Sequence, residues 1–126
     1  KKMIYSDEIG TYIGAGKTFV AMTGTPYSPL TSGRLIQLKL IVYGSAATAL
    51  IEGLIAQATC PLWGVPVTVG TAGGGLRTAP TLPIPTGIQN CDVPVKTGVD
   101  IKVEIKNVSA DTLVTVEATL IGVFEA

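Results

Sequence analysis

The sequence predicts an all-β fold, an antiparallel β-sandwich of the jelly-roll type with about eight strands. Apolar and polar residues alternate over Asp100–Lys106 and Leu113–Phe124, and a period of two is typical of strands with one buried face. Glycine and proline, 15 and 8 in number, separate short runs of this kind along the chain, as in sandwiches and barrels. Long connections between the runs favour Greek-key crossings over simple hairpins. An immunoglobulin-like sandwich is the alternative.

Composition predicts a single domain whose partners are other subunits. The chain has 126 residues, zero net charge and only 14% charged residues, against about 25% in an average soluble domain. Nucleic-acid binding needs clustered Lys or Arg, and no apolar run reaches the roughly 20 residues of a membrane span. A surface with so few charges indicates that neighbouring subunits cover much of it.

The N-terminal segment, residues 1–16, is predicted to be an arm or an edge strand that precedes a jelly-roll domain at residues 17–126. Its candidate residues for contact with another subunit are the apolar and aromatic ones: Ile4, Tyr5, Ile9, Tyr12 and Ile13. A short strand is expected next, at Lys17–Thr23.

Arg34–Tyr43 is the strongest strand of the first half. Alternation predicts one face made of Ile36, Leu38, Leu40 and Val42, and another made of Leu35, Gln37, Lys39, Ile41 and Tyr43. Since apolar residues occur on both faces, the ends of this strand are expected to be covered on both faces, by a second sheet or another subunit.

Ser45–Ala58 is compatible with either a helix or a strand. Ser45 is a good N-cap and alanine is the strongest helix former. Gly53, however, lies in the middle and costs about 1 kcal/mol inside a helix. In all-β surroundings a strand at Leu50–Ala58 is preferred.

Two further short strands are predicted on either side of a long connection. Val65–Val69 contains Pro66 and is therefore expected at a sheet edge. Ile88–Val95 is the second strand. Between them, Gly70–Gly87 is predicted to be a single connection, and loops of this length in compact domains usually serve a function.

The last two strands, Asp100–Lys106 and Leu113–Phe124, are predicted to form an antiparallel pair around a polar turn at 107–111. Asn107 begins an Asn-Val-Ser sequence, which matches the N-glycosylation acceptor pattern and is expected to be exposed in the turn. A chance match is the alternative, because Asn and Ser are favoured in turns anyway.

No catalytic, cofactor-binding or metal-binding residues are predicted. The chain has no His to act as a base beside a nucleophile. Gly16-Lys17-Thr18 resembles the end of a phosphate-binding loop, but Thr11 stands where that motif needs its first Gly. The sequence is therefore interpreted as a Gly-rich turn before a strand.

Cys60 and Cys91 are the two cysteines of the chain, and no His accompanies them to complete a zinc site. Each flanks a strand that leads into the Gly70–Gly87 connection. We therefore predict that the two cysteines lie close together and form a disulfide in an oxidising compartment. Two free buried thiols are the alternative.

Four segments carry a resemblance to single jelly-roll structural proteins of double-stranded DNA viruses, which form or decorate capsids. They are Arg-Leu-Ile-Gln-Leu-Lys-Leu-Ile-Val at 34–42, Gly-Gly-Gly-Leu-Arg-Thr at 73–78, the run from Val95 to Asn107, and the run from Val114 to Glu125. The third resembles that family's V-x-x-G-x-x-I-x-V strand, and the fourth its apolar-Gly-apolar-aromatic ending. The resemblance implies a non-enzymatic, oligomeric subunit located in the virion, whose partners are copies of itself or other shell proteins.

Two alternative functions stay open at this point. The first is an extracellular or cell-surface filament subunit, in which residues 1–16 would complete the sheet of the next subunit as a donor strand. A chain that begins at Lys1, as after removal of a leader, is expected for such a protein. The second is a carbohydrate-binding sandwich that would use Trp63, assisted by Tyr27 and Tyr43.

Overall fold

The computed structural model describes residues 3–14, 18–43, 48–51, 54–70, 75–78, 84–107 and 116–126. Within these ranges every regular element is a β-strand. The strands are β1 (Ile4–Gly14), β2 (Val20–Ala21), β3 (Gly33–Tyr43), β4 (Thr48–Ile51), β5 (Leu54–Thr59), β6 (Val67–Gly70), β7 (Gly75–Thr78), β8 (Ile84–Val95), β9 (Lys102–Asn107) and β10 (Val116–Glu125).

Eight of these strands form two antiparallel sheets that face each other. The first sheet has the order β1-β10-β3-β8 and the second the order β2-β9-β5-β6, while β4 and β7 pair separately. Apart from β5 and β6, which are neighbours in the second sheet, successive strands of the eight cross between the sheets in the pattern of two Greek keys, which defines a jelly roll. The predicted fold class is confirmed.

The core lies between the two sheets and consists of residues on alternate positions of their strands. Side chains with at most 1% exposure are contributed by both sheets: Ile9, Leu35, Leu38, Leu40, Val42, Ala118, Leu120 and Phe124 from the first, and Leu54, Ala56, Ala58, Val103 and Ile105 from the second. Ile101, just before β9, is also fully buried. The buried faces that alternation predicted for the last two strands are thus confirmed where they are described, at Ile101, Val103, Ile105, Ala118 and Leu120.

The predicted pairing of those two strands is wrong. β9 lies between β2 and β5 in the second sheet, and β10 lies between β1 and β3 in the first. Their apolar faces meet across the core instead of lying side by side in one sheet. Alternation identifies which face of a strand is buried, but it does not identify the neighbouring strand. Residues 108–115, which include most of the predicted turn, lie outside the described ranges.

The predicted faces of β3 also need a correction at one end. The register between β3 and β8 shifts between Leu35 and Gln37, and that between β10 and β3 shifts at Phe124. A bulge inserts one residue and reverses the alternation on one side of it. Leu35 is therefore fully buried, whereas Ile36 is half-buried.

Two segments differ from their predicted extents. The strand predicted at Lys17–Thr23 is reduced to β2, because the chain leaves the second sheet at Met22 and reaches the first at Thr23. The Met22 amide donates to the Val103 carbonyl of β9, and Thr23 exchanges two backbone hydrogen bonds with Thr11 of β1.

The Gly70–Gly87 connection contains β7 and the beginning of β8, so it is not a single loop. β7 pairs with β4 over Thr48–Ile51. The two strands are far apart in the sequence, and the residue pattern within a four-residue strand does not indicate its partner. The strand preferred at Leu50–Ala58 is present as β5, with β4 before it. Residues 44–47, 52–53, 71–74 and 79–83 lie outside the described ranges.

Gly122 allows β10 to carry Phe124, the largest fully buried side chain among the described residues. The Phe124 ring folds back over Gly122, so that a Cβ at Gly122 would lie 2.8 Å from Phe124 Cε2 and 3.3 Å from Leu35 Cδ1. Phe124 also stacks against Tyr5 at a centroid distance of 5.3 Å and against Tyr27 at 5.7 Å. Because Tyr5 of β1 and Tyr27 of the loop after β2 hold the Phe124 ring in place, the ring has no room to move away from Gly122.

We therefore expect Gly122→Ala to lower the free energy of unfolding by about 1–3 kcal/mol through overpacking. Gly64→Ala is the matched control, because nothing lies within 4 Å of a Cβ at Gly64, and its effect should stay within about 1 kcal/mol. Urea denaturation of the three proteins measures both values. Equal stability of the two variants would contradict the proposed packing around Phe124.

Candidate assembly interface

The outward side of the first sheet is a broad four-stranded surface, which we call the first-sheet face. Its residues alternate with the buried ones and form cross-strand rows. One row is Glu8, Ile121, Lys39 and Ile88, and the next is Ser6, Val123, Gln37 and Asn90. In the second row the Gln37 Nε2 donates to Asn90 Oδ1 at 2.8 Å, which fixes the register of the sheet at this edge.

Apolar side chains are prominent on the first-sheet face. Ile4, Ile13 and Ile88 are 62%, 73% and 58% exposed, and Ile121 and Val123 are half-buried between their cross-strand neighbours. Ile4 and Ile13 lie near opposite ends of β1 and Ile88 lies on β8, with Ile121 and Val123 of β10 between these two edge strands. Apolar side chains spread over one sheet in this way are typical of surfaces that contact other proteins. Single exposed apolar residues also occur elsewhere, in the loops at Leu30, Leu62 and Val65.

The outward side of the second sheet differs in its chemistry. On β9 it presents Lys102, Glu104 and Lys106, with the Lys102 Nζ 3.9 Å from a Glu104 carboxylate oxygen. The Lys106 ammonium lies 4.8 Å above the Phe19 ring. Val20 of β2 is 37% exposed, but the described residues of β5, β6 and β9 place no exposed large apolar residue on this side. The first-sheet face is therefore the better candidate for an interface.

The five predicted contact residues of the N-terminal segment divide into two groups. Ile4 and Ile13 point outward and are exposed, as given above. Ile9 and Tyr12 are 1% and 8% exposed in the protein's own core, and Tyr5 stacks on Phe124. A register shift between Glu8 and Gly10 separates the two inward stretches. Of the five residues, only Ile4 and Ile13 are therefore available to contact another subunit, because the other three pack inside their own subunit.

Sequence interpretation overlooked the residues that β3, β8 and β10 contribute to this surface. Ile88 was predicted as part of a strand and Ile121 as part of the last strand, neither with an outward role. For β10 the sequence does contain a signal: the residues on either side of Gly122, Ile121 and Val123, are both apolar. Outward apolar residues in a central strand indicate cover on both faces, as was predicted for the ends of β3.

Asp7 and Tyr27 join the edge strand β1 to the loop that follows β2. Asp7 lies on the inward side of β1, and the Tyr27 hydroxyl donates to Asp7 Oδ2 at 2.6 Å. The Tyr5 hydroxyl lies 3.0 Å from Thr31 Oγ1 of the same loop. Burial, and next the hydrogen bond to Asp7, raise the pKa of Tyr27 well above its ordinary value.

The structure contains both cysteines as free thiols. Cys60 is buried at the end of β5, and Cys91 is half-buried on β8, where its Sγ donates to the Leu35 carbonyl at 3.4 Å. The two ends of the Gly70–Gly87 connection do meet, because a Cβ on Gly87 would overlap the Gly70 carbonyl. Pairing of Cys60 with Cys91 stays a prediction.

The remaining predicted positions are placed as follows. Asn107 is the last residue of β9 and pairs with Leu54, so its glycosylation stays a prediction. Trp63 is half-buried against the core, and its Nε1 donates to the Pro94 carbonyl at 2.7 Å. Tyr27 is buried, so two of the three aromatic residues considered for sugar binding have structural contacts.

The described residues offer neither a metal-binding cluster nor a membrane-spanning helix. They contain no group of three or more His, Cys, Asp or Glu side chains arranged to hold a metal ion. No helix in the described part of the chain has the length and apolar character needed to cross a membrane.

Comparison with known proteins finds similarity in structure only. No protein-family model matches the chain, and no curated protein is significantly similar in sequence. The crystal structure of FLHE has a TM-score of 0.44 and 13% identity, over 98% of this chain and 96% of that one.

Two viral structures are also similar. The structure of the infectious bursal disease virus Gx strain has a TM-score of 0.44 and 17% identity, over 99% of this chain and 32% of that one. The acidic stable capsid structure of Helicobacter pylori bacteriophage KHP30 has a TM-score of 0.37 and 10% identity, over 98% of both chains. Such low scores say nothing about function.

We expect Tyr27→Phe to lower stability at neutral pH by about 1–3 kcal/mol, because Asp7 loses a buried donor. In the native protein, Tyr27 keeps its proton at pH values where an unfolded tyrosine, with a pKa near 10, has lost it. Its contribution is therefore fully present below about pH 10 and is lost as pH rises above that value. Tyr27→Phe should make alkaline unfolding less steep.

Tyr5→Phe is the matched control, since the Tyr5 hydroxyl has the neutral Thr31 hydroxyl as its partner. We expect it to cost less than about 1 kcal/mol at pH 7. Denaturant unfolding at pH 7 and at a series of pH values above 9 measures both effects. Identical slopes for native protein and Tyr27→Phe would contradict the assignment.

The cysteine pairing is tested by intact mass after alkylation of the folded and the denatured protein without reductant. A disulfide predicts no alkylation in either state. Cys91 is the thiol to follow, because burial, and then Asp92, raise its pKa and make it slow to react when free. Two alkyl groups on the denatured protein would rule out the bond and the oxidising compartment that it implies.

Proposed function

We propose that this chain is a non-enzymatic structural subunit that assembles with copies of itself into a virion shell, as a capsid or capsid-decorating protein. The single observation that supports this proposal best is the first-sheet face. Its exposed Ile4, Ile13 and Ile88 lie on a rigid sheet, so burying them against another subunit orders few side chains. The resemblance of the strand sequences to jelly-roll capsid proteins agrees with this function.

The filament alternative is less well supported. A donor strand must leave its own sheet to complete another one. β1, however, pairs with β10 from Ile4 to Gly14 and contributes Ile9 and Tyr12 to its own core. Release of β1 would therefore expose Phe124 and Leu120, which are fully buried in the structure, until another strand took its place. An extracellular or cell-surface location depends on this alternative and on the cysteine pair.

Carbohydrate binding is also less well supported. Sugar-binding sandwiches present aromatic rings whose faces are open to solvent, whereas Trp63 packs on the core and Tyr27 stacks on Phe124. A half-buried Trp with its N–H bonded to a backbone carbonyl is typical of a structural anchor.

The proposal predicts that the purified chain forms oligomers or particles in sedimentation velocity. We expect Ile88→Glu to weaken assembly at least about tenfold, the equivalent of 1.4 kcal/mol, while the fold is retained because Lys39 lies opposite. Thr68→Glu is the matched control, since Thr68 is exposed on the second sheet. It should assemble like the parent.

A parent protein that remains a monomer at high concentration would contradict self-assembly. Equal assembly of Ile88→Glu and Thr68→Glu would show that the first-sheet face is not the contact surface. Circular dichroism of both variants confirms that a loss of assembly is not a loss of fold.

A further inference from the structure

We infer that two subunits pair through the free edge of β1, antiparallel and about a two-fold axis at Ser6, so that their first sheets join into one sheet of eight strands. This inference rests on the proposed function, because it names a second copy of the chain as the partner. It specifies which atoms make the contact, which the proposed function leaves open. The free edge of β1 means here the backbone of Ile4, Ser6 and Glu8.

The hydrogen-bonding direction of β1 follows from its first residue. Met3 and Ala126 donate to each other's carbonyls at 3.4 and 2.8 Å, so they form a hydrogen-bonded pair. In antiparallel strands such pairs alternate with pairs whose N–H and C=O groups point away from each other. Tyr5 and Asp7 therefore bond to β10, whereas Ile4, Ser6 and Glu8 direct their backbone groups away from it.

The same alternation explains where the edge is already covered. Beyond the register shift after Glu8, Thr11 directs its backbone away from β10 and meets Thr23 through two hydrogen bonds of 3.0 and 2.8 Å. Thr23 thus closes the edge at Thr11. Among the described residues, none donates or accepts a backbone hydrogen bond on the free side of Ile4, Ser6 or Glu8.

The loop after β2 leaves this edge open. Tyr27 and Thr31 contact β1 through the inward side chains Asp7 and Tyr5, and not through its backbone edge. An exposed row of unpaired N–H and C=O groups is a template for another strand. Pro and Lys, common protecting residues of such an edge, do not occur between Ile4 and Glu8. Of the two charged residues there, Asp7 accepts a hydrogen bond from Tyr27 on the inward side, and Glu8 lies on the first-sheet face.

Self-pairing satisfies this edge in one register better than in others. With Ser6 opposite the partner's Ser6, Ile4 lies opposite the partner's Glu8 and Glu8 opposite the partner's Ile4. All three open residues of each copy then form hydrogen-bonded pairs. A shift toward Gly10 would bring Glu8 against the partner's Glu8, and like charges directly opposite each other are unfavourable.

The register also explains the exposure of Ile4. Its side chain lies on the first-sheet face, where the partner's Glu8 would cover it with its methylene groups. The joined sheets would place the first-sheet faces of both copies side by side. Edge pairing and burial of that face against further subunits are therefore compatible in one assembly.

The test is Ser6→Cys, compared with Thr68→Cys as the matched control, in the full-length chain under mild oxidation. At a two-fold axis the two Ser6 positions form a hydrogen-bonded pair with Cα atoms about 5.5 Å apart, which is within the range of a disulfide. We expect at least about fivefold more disulfide-linked dimer from Ser6→Cys than from Thr68→Cys. Both variants retain Cys60 and Cys91, so the native thiols contribute equally.

Sedimentation of the parent protein, run alongside, separates the two levels of the proposal. Equal dimer yields from a parent that still assembles would overturn edge pairing and leave the shell proposal standing. A parent that sediments as a monomer, together with equal dimer yields from the two cysteine variants, would overturn both edge pairing and the shell proposal. Excess disulfide-linked dimer from Ser6→Cys, together with a parent that forms no species larger than a dimer, would support the edge pairing and contradict the shell.

Amide hydrogen exchange of the unmodified protein gives a second readout that needs no substitution. The Ile4, Ser6 and Glu8 amides should exchange rapidly at low concentration and slowly in the assembly. The Tyr5 and Asp7 amides should be slow in both states. Rapid exchange of Ser6 in the assembled protein would overturn the pairing.

Discussion

The packing of Phe124 over Gly122 is the contact on which the first sheet depends. β10 is an inner strand of that sheet and holds β1 on one side and β3 on the other. Phe124 lies at its end and contacts Tyr5 of β1 and Tyr27 of the crossing loop. One buried ring thus joins the central strand, the edge strand and the connection between the sheets. The position of the β1 edge follows from this contact.

The edge that results is open over a short and well-defined stretch. Tyr27 holds Asp7 from the inward side, and Thr23 closes the backbone at Thr11. The open stretch of Ile4, Ser6 and Glu8 is therefore rigid on both sides. A rigid edge pairs with little loss of conformational entropy, and its neighbour on the sheet is the apolar first-sheet face. Geometry and surface chemistry thus favour the same side of the molecule for assembly.

Local pattern predicted what depends on single strands, and failed where strands interact. Ile101, Val103 and Ile105 were placed in the core correctly because alternation alone determines their burial. Leu35 was placed on the wrong face because a bulge depends on the partner strand. The pairing of the last two strands was wrong because both have equivalent apolar faces. At the interface, the shift after Glu8 decides that Ile9 is buried while Ile13 is exposed, and no local signal predicts it.

Electron cryo-microscopy of the protein assembled from purified subunits tests the central claim most directly. The account predicts closed shells in which each subunit keeps β1 in its own sheet, with the Ser6 residues of two neighbouring subunits opposite each other across a two-fold axis. Fibres in which residues 4–14 lie in the sheet of the next subunit would contradict it.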